Sequence, residues 1–299
     1  MELYLGLDAG GTHTRARLVS GDGKILGRGE GGPANTPAGL PQALQSIEDA
    51  WSQAAREAGL GAEDIGNMRV GLGMAGLSRQ GRLDGLKEHQ FPFRSIEIAS
   101  DAVIANIGAH AGGDGAIVIL GTGSVGLGRV GDRSFTIGGY GFPVSDEGSG
   151  AELGLRAIRR ALWARDGRIP HTEMTRQLLD HFGGSSREIV EFTTRATPAD
   201  FGQFAPMVLD HANAGDSHAE LIVQESARRI DAIIRTLFER GAPDCCLMGG
   251  LAAPMRDWLA ANIRSRLREP LGDALDGAII LAGGPPPKTK HKRDGGKHD

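Results

Sequence analysis

Apolar and polar positions alternate in short runs at the start of the chain. Residues 3–8 form an apolar run that breaks at Gly10-Gly11. Residues 13–19 and 24–30 read as two further strands turning through Gly21-Asp22-Gly23, so three consecutive strands form a meander. The period then changes. Leu40, Leu44, Ile47 and Trp51 recur at helical spacing and predict a helix over 39–59 that Gly59 ends. A strand near 68–74, a helix near 79–89, a strand near 95–100 and a helix through Ile107 follow.

A similar order restarts at residue 115. Gly115 to Leu120 is apolar and β-branched, and Ser124 to Val130 and Arg133 to Ile137 read as the next two strands. A long helix at about 217–240, a strand at 244–248 and helices near 254–268 and 273–282 complete the copy. The pattern predicts two copies of one mixed α/β unit, as lobes at 1–110 and 111–284 with a cleft between them. A helical insertion at about 150–210 belongs to the second copy. The tail at 285–299 opens with Pro285-Pro286-Pro287, is polar and aperiodic, and reads as disordered.

Composition narrows the function classes. The 299 residues carry a formal net charge of −4. The last dozen hold five cations against two acids, so the rest of the chain is more acidic than that figure, and no basic face for nucleic acid is expected. The cysteines, Cys245 and Cys246, are adjacent, which excludes a disulfide framework and the usual zinc spacings. The opening residues show no basic lead or cleavage site, and no apolar run is long enough for a membrane span, so a cytoplasmic protein is expected. His13, His110 and His171 lack the partner spacing of a metal site or triad. Glycine is abundant, 47 residues, which implies many tight turns or close approaches of backbone to a ligand.

Some of those glycines sit where chemistry is expected. In Asp8-Ala9-Gly10-Gly11-Thr12-His13-Thr14, Asp8 ends a strand, Gly10 and Gly11 expose amides that suit phosphate oxygens, and Thr12 adds a hydroxyl. A carboxylate beside phosphate needs a cation between them, so Asp8 points to Mg²⁺ held through water. A plain hairpin would use the same glycines. Gly121-Thr122-Gly123-Ser124 occupies the equivalent place in the second copy, and two such turns make a phosphate clamp the better reading. Asp101 follows the strand 95–100, where it could cap a helix or serve as a general base on a substrate hydroxyl. In the loop Gly138–Gly150, Asp146, Glu147 and Ser149 sit where a cap of the next helix is expected, and Asp146 and Glu147 could equally accept sugar hydroxyls. Gly249-Gly250, after an apolar strand, could lie flat against adenine or form an ordinary strand-to-helix turn.

Together these segments resemble the sugar-kinase/actin/heat-shock-protein ATPase superfamily, and more narrowly the N-acetylglucosamine kinase and BadF/BadG ATPase family, from residue 3 to about 283. The combination of Gly138, Gly139 and Gly141 with Asp146-Glu147-Gly148-Ser149 is the most specific part. The resemblance implies an α/β fold of two actin-like ATPase (ribonuclease H-like) lobes flanking a central nucleotide and sugar cleft. It implies ATP and Mg²⁺ as cofactors and transfer to the 6-hydroxyl of glucosamine or N-acetylglucosamine. Asp8 would position Mg²⁺; Gly10, Gly11, Thr12, Gly121, Thr122 and Gly123 would hold phosphates; Gly249 and Gly250 would hold adenosine. Asp101 would be the catalytic base, and Asn35, Gly139 and Asp146 would complete the sugar site. The inserted helices offer a face for a homodimer. The same family contains ATPases that activate reductases through an iron–sulfur cluster, but the two adjacent strand cysteines are misplaced for one. A sugar sensor without catalysis would be expected to lose Asp8 or Asp101, and both are present.

Overall fold

The computed structural model of the protein describes residues 1–34, 39–77 and 82–287. These form two compact units, Met1–Gly113 with the segment from Pro270 onward, and Asp114–Glu269. Among the described residues each unit is built on a five-stranded sheet.

In the first unit the expected meander is β1 (Leu3–Ala9), β2 (Thr14–Ser20) and β3 (Ile25–Gly31). Two parallel strands, β4 (Arg69–Met74) and β5 (Ser95–Ser100), extend the sheet beyond β1 to give the order β3-β2-β1-β4-β5. Helix α1 (Gly39–Glu57) lies on one face, its stripe of Ala43, Ile47, Ala50 and Ala54 fully buried. It can approach so closely because alternate positions of β3 are Gly27, Gly29 and Gly31. A Cβ on any of them would come within 2.2 Å of a carbonyl oxygen of α1. Short helices α2 (Ala62–Gly66) and α3 (Arg82–Glu88) connect onward, and α4 (Asp101–Ala109) covers β4 and β5 from the other face.

In the second unit β6 (Gly115–Leu120), β7 (Ser124–Val130) and β8 (Arg133–Gly138) repeat the meander. The inserted block then comprises α5 (Gly150–Arg165), α6 (Glu173–His181), α7 (Ser186–Arg195), α8 (Pro198–Gly202) and α9 (Ala205–Asn213). Phe182, Phe192, Phe201 and Phe204 pack as an aromatic cluster with ring centroids 5.3–5.9 Å apart, giving this insertion its own apolar centre. Helix α10 (Ser217–Glu239) returns to the sheet, where β9 (Cys245–Met248) pairs in parallel with β6 and with β10 (Leu267–Arg268). The resulting order, β10-β9-β6-β7-β8, has the same pairing senses as the first sheet. The internal repeat read from element order is therefore a repeat of topology.

Two expectations differ from what is observed. The predicted helix at 254–268 is α11 (Ala252–Arg256), α12 (Ala261–Arg264) and β10, because the buried Asp231 of α10 accepts the Ala260 amide and Ala260 adopts extended ψ (143°) there. The predicted helix at 273–282 exists as α13 (Ala274–Leu281), but it packs on the first unit, whereas the second lobe was expected to run to 284. The reason is apolar surface: Tyr4 and Val19 need a cover, and Ile279 supplies it. The contact is backbone against backbone. A Cβ on Gly108 of α4 would lie 1.9 Å from the Asp273 carbonyl oxygen, and one on Gly277 of α13 would lie 1.8 Å from that of Ile104. Of the expected tail, residues from 288 onward lie outside the described residues.

Candidate functional site

Side chains alternate along a strand, so Tyr4, Gly6 and Asp8 share the α13 face of β1. Their partners across the antiparallel ladder are Val19, Arg17 and Arg15, and those of Arg17 and Arg15 on β3 are Arg28 and Glu30. The N-terminus of α13 ends over the Gly6–Arg17 row. There Asp273 and Asp276 form a capping box, and Arg17 donates to both carboxylates at 2.6 and 2.7 Å. The next row, Asp8–Arg15–Glu30, is left uncovered. It lines a polar cavity of about 640 Å³ together with Gly10, Gly11, Thr12 and His13.

The turn above that cavity is closed by its own backbone. The Gly10 amide donates to His13, and the Gly10 carbonyl accepts from Ala34. Among the described residues the Gly11 and Thr12 amides have no acceptor, and a Cβ on Gly11 would meet only open space. Asp8 is paired with Arg15, Nη2 to Oδ2 at 2.6 Å, with the carboxylate largely buried and the guanidinium half-exposed. Two strand steps across the sheet, β5 ends at Ser100, whose hydroxyl caps α4 by accepting from Val103. The helix cap that Asp101 could have made is supplied by its neighbour, and the Asp101 carboxylate accepts the adjacent Ala102 amide at 2.9 Å and its own backbone amide. Burial pushes its pKa above the ordinary carboxylate value. The Ala102 amide opposes that shift, and the negative charge of Asp8 adds to it.

The second unit gathers a second set around the turn between β6 and β7. The first amides of α5, Gly150 and Ala151, donate to the carbonyls of Gly121 and Thr122 at 2.8 and 3.2 Å. Those carbonyls are thereby turned toward the helix, and among the described residues the Thr122 and Gly123 amides have no acceptor. Gly249 closes against the end of β6: with φ at +91°, its missing Cβ leaves room for the Leu120 carbonyl oxygen, 2.3 Å from where that carbon would be. The Leu251 amide donates to the same oxygen at 3.0 Å. Gly249-Gly250 and Gly121-Thr122-Gly123 are therefore neighbours, although 126 residues separate Gly249 from Gly123 in the chain.

The glycine-rich loop reaches this turn as well. Gly139, at φ +74°, lies against Val125, and Asp146, at φ +67°, lays its carboxylate over Gly123. A Cβ on Gly123 would be 2.8 Å from the Asp146 Oδ2. Glu147 faces another way: its side chain accepts from Ser145 at 3.0 Å and its carbonyl from Ser124 at 2.7 Å. Of the residues singled out in the sequence, Asp8, Gly10, Gly11, Thr12 and Asp101 thus fall at one end of the first sheet. Gly121, Thr122, Gly123, Gly139, Asp146, Gly249 and Gly250 meet around one turn of the second. Asn35 lies outside the described residues. Arg15 was not singled out, although two-residue alternation from Asp8 across the hairpin would have found it.

Cys245 and Cys246 are free, buried thiols on β9. Burial raises both pKa values, that of Cys246 to about 12, so both are protonated thiols in the folded chain. Among the described residues no helix is long and apolar enough to cross a membrane.

Known proteins are similar to this chain over most of its length. The family model for the BadF/BadG/BcrA/BcrD ATPase family matches residues 5–282. Glucosamine kinase GspK of Vibrio cholerae serotype O1 is 39% identical over 285 residues, covering 95% of this chain and 97% of that protein. The N-acetylmuramic acid/N-acetylglucosamine kinase of Clostridium acetobutylicum is 27% identical over 247 residues, covering 80% of each. The crystal structure of a candidate N-acetylglucosamine kinase from Chromobacterium violaceum superposes with a TM-score of 0.82 at 36% identity, covering 94% of this chain and 99% of that one.

Proposed function

The chain belongs to the BadF/BadG/BcrA/BcrD ATPase family, and from that premise we propose that it is an ATP-dependent amino-sugar kinase phosphorylating the 6-hydroxyl of glucosamine. The observation that carries the reading is the topological repeat. The same strand–turn–strand element appears in each unit with small residues and unpaired amides at its tip, as a ligand with several phosphates requires. Glucosamine is put before N-acetylglucosamine because the 39% identical relative is named a glucosamine kinase and because Asp146 offers a carboxylate to a protonated amine. Among the described residues its side chain accepts no hydrogen bond, whereas Glu147 is engaged by Ser145.

Asp101 is the base. With its pKa raised by burial it is a stronger proton acceptor than a free carboxylate, so it can take the proton of the attacking hydroxyl and orient it for in-line transfer. In the first unit the Gly11 and Thr12 amides, and in the second the Thr122 and Gly123 amides, are each suited to phosphate oxygens, and the Gly249-Gly250 turn, bare of side chains, to adenosine.

Mg²⁺ fits the residues present. Among the described residues no group of three or more potential ligands exists, yet Asp8 presents one carboxylate to a polar cavity beside the phosphate-facing amides. One carboxylate with water and phosphate oxygens is the usual environment of this ion at a phosphoryl-transfer site. Bound there, it would offset charge on the phosphates. Mass spectrometry of the product after incubation with Mg-ATP and glucosamine tests the proposal: glucosamine 6-phosphate supports it, and unmodified sugar with intact ATP contradicts it.

A further inference from the structure

The loop that carries Asp146 is tied down by one side chain. Glu152, in the first turn of α5, is largely buried, and its Oε2 accepts the Gly148 amide at 2.6 Å. Its Oε1 meets Arg229 of α10 at 2.5 Å and Arg156 of its own helix at 3.8 Å. Arg156 continues the network to Glu225, also on α10. The Glu152 amide in turn donates to the Ser149 hydroxyl that caps α5.

This network joins both halves of the second unit's ligand-facing surface. Immediately before Glu152, the Gly150 and Ala151 amides hold the carbonyls of Gly121 and Thr122. Four residues before it, the Gly148 amide fixes the outgoing end of the loop, where Ser149 also donates to the Asp146 carbonyl at 3.1 Å. Gly148 also lies against α10, where a Cβ would come within 2.6 Å of Ile230, so the loop and that helix meet at the residue that Glu152 holds. A buried carboxylate between two guanidinium groups is favourable only with its partners in place, which fixes its rotamer.

We propose that Glu152 is a positioning residue for phosphoryl transfer: by gripping Gly148 and bridging α5 to α10, it sets the phosphate-facing turn Gly121–Ser124 and the Asp146 loop in one register. Its carboxylate is engaged by the Gly148 amide, Arg229 and Arg156. The proposal rests on the kinase reading above and adds to it a residue outside the ligand-facing surface.

The test compares Glu152→Ala, Glu152→Gln and Asp216→Asn in the full-length protein, with AMP-PNP binding by calorimetry and steady-state kinetics with glucosamine. In Glu152→Ala, AMP-PNP affinity should fall about tenfold and the KM for glucosamine should rise by more than kcat falls, as displacement of positioning groups produces. Glu152→Gln keeps an oxygen for the Gly148 amide and should recover AMP-PNP affinity to within about threefold of wild type. Asp216→Asn weakens the cap of α10 and its tie to Met174, far from the loop in sequence. It should lower Tm and leave AMP-PNP affinity unchanged.

Unchanged affinity in Glu152→Ala, or equal losses in Glu152→Ala and Asp216→Asn, would mean a structural role alone and overturn the proposal. Should Glu152→Ala fail to fold, Arg229→Gln at a half-exposed position takes its place, and unchanged affinity there and in Glu152→Gln overturns it equally. Wild-type protein that binds AMP-PNP but phosphorylates no amino sugar refutes the kinase reading while leaving this comparison decisive.

Discussion

Arg15 stands directly across the β1–β2 ladder from Asp8 and donates to its carboxylate at 2.6 Å. The guanidinium is half-exposed, so water and salt screen the pair, and it contributes at most about 1 kcal/mol to stability. Its consequence lies in ligand binding, because any cation that reaches Asp8 competes with Arg15. AMP-PNP affinity should therefore increase with Mg²⁺ in the wild type and in Arg15→Gln, and stay flat in Asp8→Asn. Calorimetric titrations with and without Mg²⁺ check this; an Asp8→Asn protein that keeps the full Mg²⁺ dependence would remove Asp8 from the metal role.

Asp101→Asn should lower kcat by about 10²–10⁴ with AMP-PNP affinity intact, the loss expected when a general base is removed. It should also raise Tm at neutral pH. A carboxyl whose pKa is higher folded than unfolded adds stability that is complete below the unfolded value and gone once pH rises through the folded one. Asp101 is such a group, so at pH above its folded pKa its buried charge opposes folding. A melt of Asp101→Asn at or below the wild-type Tm at pH 7 would contradict the burial argument.

The same shift sets a pH profile. Activity should fall as pH drops through the raised Asp101 pKa, giving an acidic limb in kcat/KM above the ordinary carboxylate range. Since the charge of Asp8 contributes to the rise, residual activity of Asp8→Asn should show that limb displaced to lower pH. A limb that does not move separates the two carboxylates electrostatically.

Gly121 and Gly123 differ in what surrounds them. A Cβ at Gly121 would meet nothing within 4 Å, whereas one at Gly123 would lie 2.8 Å from the Asp146 carboxylate. Gly123→Ala should therefore raise the KM for glucosamine much more than Gly121→Ala does. Adding Gly123→Ala to Asp146→Ala should cost little further, a non-additivity that a double-mutant cycle measures. Equal and additive effects would count against the contact.

Gly108→Ala should destabilise the protein by about 1–3 kcal/mol, the usual cost of forcing atoms into a packed contact. The added methyl would collide with the Asp273 carbonyl and push α13 off the first unit. Chemical denaturation checks this, and an unchanged midpoint would mean that α13 does not hold that unit.

The hairpins were legible because their signal is local: a two-residue period broken by glycine pairs places Gly10-Gly11 and Gly121-Thr122-Gly123 at strand tips before any contact is known. The repeat of topology followed from element order. The partnership of α13 with the first unit was not legible, since nothing in Ala274–Leu281 states that its glycine will meet Gly108 of α4, far back in the chain. The break at Ala260 depends on Asp231, a side chain 29 residues away. Ser100 and Asp101 were equal candidates for the cap of α4 until Ser100 was seen to make it. Glu152 reads in sequence as an ordinary acidic residue in a first helical turn; only the Gly148 amide and Arg229 reveal what it holds.

Coupled ADP release with Mg-ATP, run against glucosamine, N-acetylglucosamine, N-acetylmannosamine, glucose and no sugar, tests the central claim most directly. Strong stimulation by glucosamine, weaker stimulation by its acetylated form and little turnover without sugar are the predicted results. ATP hydrolysis that ignores every sugar, or no hydrolysis at all, would contradict an amino-sugar kinase.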